Sequence, residues 1–202
     1  MFAQAAKLTW TLIIACVVLY IPELMGMNLN ALLAVSPYSL HFAPWQLVTA
    51  IFAHGSLEHL AMNMVSLWWL GTLLENSQGS LRFALVYFLS GIGGNLAFAL
   101  VGDGYAVGAS GAIFGLMGAV AVLFFHHREN PEAKAMLQGL LVMAAINIVN
   151  SFVPGIALEA HMGGLIVGAA IEAIILLIDA QLHDSDDYCL DDCNPADISR
   201  DE

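Results

Sequence analysis

The chain has 202 residues, of which 59% are hydrophobic and only 11% charged. Soluble domains usually carry about 25% charged residues, and here the few charges cluster, leaving long apolar stretches and a final acidic segment. A formal net charge of −12 argues against nucleic acid as a partner, and three cysteines are too few for a disulfide framework.

Six apolar segments, each near the length a bilayer requires, follow in chain order. They are Leu8–Met25, His59–Leu74, Leu81–Val101, Ser110–His126, Ala135–Phe152 and His161–Leu182. The first is too long for a secretory signal, and no small-residue cleavage site follows it. The loop between the first two segments is long and half apolar. Its Pro37, Pro44 and Trp45 predict short helices lying at the interface. The other loops are short, so the chain has no room for a separate soluble catalytic domain. No internal repeat supports an inverted-repeat transporter. The expected fold is all-α, a six-helix membrane bundle over 1–183, with a disordered acidic tail over 184–202. Cys189 and Cys193 lie in that tail.

Orientation is read from the five Lys and Arg residues. Lys7, Arg82, Arg128, Lys134 and Arg200 all fall on one side of a six-span chain. The positive-inside rule makes that side, and both termini, cytoplasmic, as expected of a multi-pass inner-membrane protein. Segments 2, 4 and 6 then begin on the outer side, and their first residues are His59, Ser110 and His161. Three distant positions thus share one depth.

Gly108-Ala109-Ser110-Gly111 lies where an outward loop enters the fourth segment. Serine is a favoured helix N-cap, so capping alone accounts for it. The chemical reading is that the glycines admit a substrate backbone and leave helix-start N–H groups free to face an oxyanion. His161 opens the sixth segment, and ionisable groups in spans are costly and usually functional. Gly164 and Gly168 give that segment a small face, and Gly111, Gly115 and Gly118 give the fourth another. Such faces let two helices approach closely, bringing the Ser110 hydroxyl to a His161 ring nitrogen. A hydroxyl needs a base to become a nucleophile. No carboxylate stands at hand as a third member, because Glu172 lies about 16 Å below His161 at 1.5 Å per residue. The expectation is a Ser–His dyad.

His59 and Asn63, four apart, share one helix face. They read either as interhelical hydrogen-bonding groups or as donors to an oxyanion. His54, His59 and His161 admit a further reading as metal ligands, ranked lower because no His-Glu-x-x-His spacing occurs and Ser110 would be left without a role.

Taken together, these residues resemble the rhomboid intramembrane serine proteases of the compact six-helix bacterial type. The resemblance runs from about Pro44 to Leu182. It rests on Trp45, His54-x4-His59-x3-Asn63, Glu75, Gly108-x-Ser110-Gly111 and Ala160-His161-x2-Gly164-x3-Gly168. It implies Ser110 as nucleophile and His161 as base. It places His59, Asn63 and the Ser110 N–H around the oxyanion, beside Gly108 and Ala109, and leaves His54, Glu75, Gly164 and Gly168 as structural support. It also implies hydrolysis of peptide bonds in or beside transmembrane segments of other proteins within the bilayer, without cofactor or metal. Two positions depart from the family pattern. Gln46 follows Trp45 where Arg is frequent, and Phe114 stands where many bacterial members carry Tyr.

Overall fold

The computed structural model describes residues 6–153 and 155–191, with side chains to residue 182. The described residues form nine α-helices and one 3-10 turn, with no strand. Six helices are long: α1 (Lys7–Leu24), α5 (Leu57–Gln78), α6 (Ser80–Val101), α7 (Ser110–His126), α8 (Pro131–Asn150) and α9 (Leu158–Asp191). They correspond to the six apolar segments. Three are one-turn helices of the long loop: α2 (Asn30–Leu33), α3 (Ser39–Phe42) and α4 (Gln46–Thr49). The 3-10 turn Ala50–Phe52 follows them. Four of the long helices are long and apolar enough to cross a membrane by length and composition alone, and α7 is a shorter apolar helix. Exposed Ile, Leu, Val and Trp side chains cover α1, α5, α8 and α9. Such an outside suits lipid rather than water.

α7 is the central post, with every residue from Gly111 to Val120 buried. Glycines let α9 and α6 come close to it. A methyl added to Gly164 would strike the Gly111 carbonyl oxygen, and one on Gly168 would strike that of Gly115. On α6, a methyl at Gly94 would strike the carbonyl oxygen of Ala160. α8 is held much more loosely, with Leu140 its one buried residue.

Polar clamps tie the helices at the end of the bundle away from Ser110. The Glu75 carboxylate accepts from the Leu8 and Thr9 N–H groups at 3.0 and 2.8 Å and from the Thr9 and Ser80 hydroxyls at 2.8 and 2.7 Å. One side chain of α5 thereby fixes the starts of α1 and α6. Arg82 of α6 donates through both terminal nitrogens to Asp179 of α9, each at 2.6 Å.

Several boundaries differ from the sequence reading. α9 begins at Leu158, so His161 sits one turn inside it, and α5 begins at Leu57, two residues before His59. α5 starts early because the Ser56 hydroxyl accepts from the His59 N–H at 3.1 Å as its N-cap. α8 starts at Pro131, capped by Asn130, whose side chain accepts from Glu132 N–H at 2.8 Å. α9 continues past the expected end of the membrane domain to Asp191. The rest of the acidic tail, Cys193 included, lies outside the described residues.

Candidate functional site

The site forms where α5, α7 and α9 begin. The chain enters α7 through Gly108, whose φ of +130° L side chains rarely adopt. Space requires glycine there too, since a methyl on Gly108 would lie 2.7 Å from Cε1 and 2.8 Å from Nε2 of His59. His59 is thus drawn up against the turn that presents Ser110. Ala109 is fully buried at the N-cap position. The opening N–H groups of α7 lack partners one turn back, as at any helix start.

Ser110 Oγ lies 2.8 Å from His161 Nε2. The glycine contacts between α7 and α9 make that approach possible, because bulkier residues would hold the two helices apart. The imidazole stacks on Phe114, one turn below Ser110, with ring centroids 4.3 Å apart and planes at 10°. His161 is buried, while Ser110 keeps partial exposure. Solvent or substrate therefore reaches the hydroxyl before the base.

Asn63 is buried one turn below His59 and donates from Nδ2 to the His59 carbonyl at 2.8 Å. An amide nitrogen has two hydrogens, so one remains for another acceptor. His54 stands behind His59, with ring centroids 5.2 Å apart at 63°. Its Nδ1 lies 3.2 Å from the Phe52 carbonyl, which can only accept, so that nitrogen carries the proton. Its Nε2 is buried without a hydrogen-bond partner. Burial, and after it the neighbouring His59, lower the His54 pKa to about 4, against the Phe52 carbonyl, which favours the charged form. His54 is therefore neutral at ordinary pH. The His54 carbonyl accepts from Asn30 Nδ2 at 2.9 Å, which ties the long loop to the site.

The residues singled out from sequence thus fall into two groups. Ser110, His161, His59, Asn63, Gly108, Ala109 and His54 gather at one end of the bundle. Gly164 and Gly168 lie on the packing face of α9, and Glu75 is the clamp at the opposite end of α5. Among the described residues, no three His, Cys, Asp or Glu side chains group as a metal site. Both nitrogens of His161 are already engaged by hydroxyls.

One member escaped the sequence reading. Ser151, the C-cap of α8, places its Oγ 2.6 Å from His161 Nδ1 and is buried. A serine ten residues before His161, ending a span on the same side, was the available signal.

Residues 41–178 match the model of the Rhomboid domain family. Among curated proteins, the chain is 31% identical to "Rhomboid protease GlpG" of Salmonella typhi over 176 residues, 83% of this chain and 63% of that protein. It is 38% identical to "Rhomboid protease GluP" of Bacillus subtilis over 125 residues, 61% of this chain and 24% of that one. It is 36% identical to "RHOMBOID-like protein 5" of Arabidopsis thaliana over 137 residues, 66% of this chain and 44% of that one. The chain therefore spans less than two thirds of the length of these relatives.

Proposed function

We propose, from the premise that this chain belongs to the rhomboid family of multi-pass membrane proteins, that it is an intramembrane serine endopeptidase. Its substrates are transmembrane segments of other proteins, cut near their outer boundary. The observation that carries this reading is the 2.8 Å contact between Ser110 Oγ and His161 Nε2 at the shared end of two close-packed helices.

The chemistry follows from that contact. Ser110 Oγ attacks the scissile carbonyl carbon while His161 Nε2 takes its proton. Negative charge then develops on the carbonyl oxygen. The Ser110 N–H, the second Asn63 amide hydrogen and the His59 ring serve as its donors in this reading. As the C–N bond breaks, His161 returns the proton to the leaving amine. Water then repeats the attack on the acyl-serine and restores the hydroxyl. No step calls for a cofactor. The positive-inside pattern supports an orientation with both termini in the cytoplasm of a bacterial inner membrane and the site opening outward.

The test is cleavage of a generic transmembrane substrate by the purified protein. Ser110→Ala and His161→Ala should each abolish cleavage, with the double variant little worse, because the pair acts as a unit. A mechanism-based serine reagent should label Ser110 only when His161 is present. Cleavage should fall on acidification, since a protonated imidazole cannot accept the Ser110 proton. Wild-type cleavage by Ser110→Ala, or loss of wild-type cleavage to a chelator, would refute the reading.

A further inference from the structure

His161 has a second hydroxyl partner, and the surrounding bonds determine which way the protons run. Ser151 Oγ lies 2.6 Å from His161 Nδ1 and 2.8 Å from the Asn147 carbonyl oxygen one turn back on α8. A hydroxyl has one proton, and a carbonyl can only accept. If the Ser151 proton goes to Asn147, its oxygen is free to accept from Nδ1–H. Nε2 then holds a lone pair toward Ser110, whose hydroxyl donates to it. All three close contacts are hydrogen bonds in this arrangement. In the reverse one, Ser151 donates to Nδ1 and Nε2–H points at Ser110. Two oxygen acceptors then face each other 2.8 Å apart at the Ser151–Asn147 contact with no proton between them, although the Asn147 carbonyl still accepts from the Ser151 N–H at 3.0 Å. Only the first arrangement puts a proton in each of the three contacts. It is also the tautomer in which His161 can act as a base.

We infer that Ser151 is a positioning residue that fixes His161 in the Nδ1–H tautomer, an inference that rests on the protease reading above. It touches no reacting atom. Stacking on Phe114 sets the plane of the ring but is nearly indifferent to which edge faces Ser110, whereas Ser151 distinguishes the two edges. The same hydrogen bond persists when Nε2 takes up the Ser110 proton, because Nδ1–H donates in both charge states. A neutral hydroxyl thus occupies the place that a carboxylate fills in the serine protease triad. It is carried by α8, the least buried of the long helices, so the state of the base depends on the seating of that helix.

The test has a spectroscopic and a kinetic arm. With ¹⁵N-labelled histidine in the full chain, assigned by loss of signal in His161→Gln, wild-type His161 should show a protonated Nδ1 and a bare Nε2. Ser151→Ala should shift the ring toward a mixture of tautomers, and Ser151→Thr should hold it. In cleavage assays, Ser151→Ala should lower kcat roughly tenfold, the scale of one lost neutral hydrogen bond. KM should stay within about twofold because substrate does not meet Ser151, and Ser151→Thr should recover most of the rate. An Nε2–H tautomer in the wild type overturns the inference. So does an unchanged kcat in a folded Ser151→Ala, or a lower kcat with an unchanged tautomer, which would assign Ser151 to packing. If Ser151→Ala does not fold, the wild-type tautomer alone decides. Cleavage surviving Ser110→Ala would refute the protease reading instead, and the ring-nitrogen signals would still report on Ser151.

Discussion

Ser110 and His161 could be singled out in the sequence because each lies within a turn of the start of a helix on the same side with glycines below it, a pattern packing alone does not demand of a serine and a histidine. Ser151 was not legible. Its significance depends on how far α8 leans toward α9, and no periodicity in α8 encodes that. Phe114 stood out only as a departure from the family pattern, and the geometry of its stacking on His161 needed the fold. His54 is the residue whose setting makes the sharpest prediction outside the Ser110–His161 pair. Its folded pKa, lowered to about 4, lies below the ordinary value of about 6.5, so the unfolded chain binds a proton more readily. Its contribution to stability is therefore full above about pH 6.5 and is lost as the pH falls toward 4. Thermal unfolding in detergent should show the wild type losing on the order of 2–3 kcal/mol across that window. His54→Gln should be less stable at neutral pH and flatter between pH 6.5 and 4. An equal acid slope in both proteins would remove His54 from this role.

At the scale of helices, each apolar segment of the reading falls on one of the six long helices, and Leu81–Val101 and Ser110–His126 nearly coincide with α6 and α7. The starts of α5, α8 and α9 were misplaced by two, four and three residues, since hydropathy marks where apolar residues begin while Ser56 and Asn130 cap α5 and α8 earlier. The glycines of α7 and α9 were identified as a contact. Their counterparts on α6 were overlooked, although Gly93 and Gly94 pack against Val167 and Ala160 of α9. The tightness of these contacts predicts a steep response to a single methyl. Gly164→Ala drives Cβ into the Gly111 carbonyl, a backbone group that can yield only if the helices separate. Overpacking of this kind costs about 1–3 kcal/mol or more, and separation also draws Ser110 from His161. Gly164→Ala should therefore lower both the unfolding temperature and the cleavage rate. Gly139→Ala on α8 is the control, with nothing within 4 Å of the added methyl, and it should change neither. Equal behaviour of the two variants would refute the packing argument.

The whole molecule is fastened unevenly. The Glu75 and Arg82–Asp179 clamps hold the end remote from Ser110, and glycine contacts hold α6, α7 and α9 along their length, while α8 stays peripheral. Hydropathy and charge made the membrane bundle legible, but the clamps pair residues up to 97 positions apart and needed the fold to be seen. The central helix is also the shortest of the six long ones, at 17 residues. That is about 26 Å at 1.5 Å per residue, against about 30 Å for a typical hydrocarbon core. Its neighbours shield it from lipid, so it need not reach both surfaces, and the level of Ser110 depends on how the lipid around those neighbours adjusts. Bilayer thickness then becomes a control on water supply. Thick lipid lengthens the path from bulk water to Ser110, and thin lipid shortens it. In vesicles of increasing acyl chain length, turnover at saturating substrate should decline while reactivity in detergent, where no fixed thickness is imposed, stays constant. A rate indifferent to chain length would mean that the protein sets its own water path and the surrounding lipid does not.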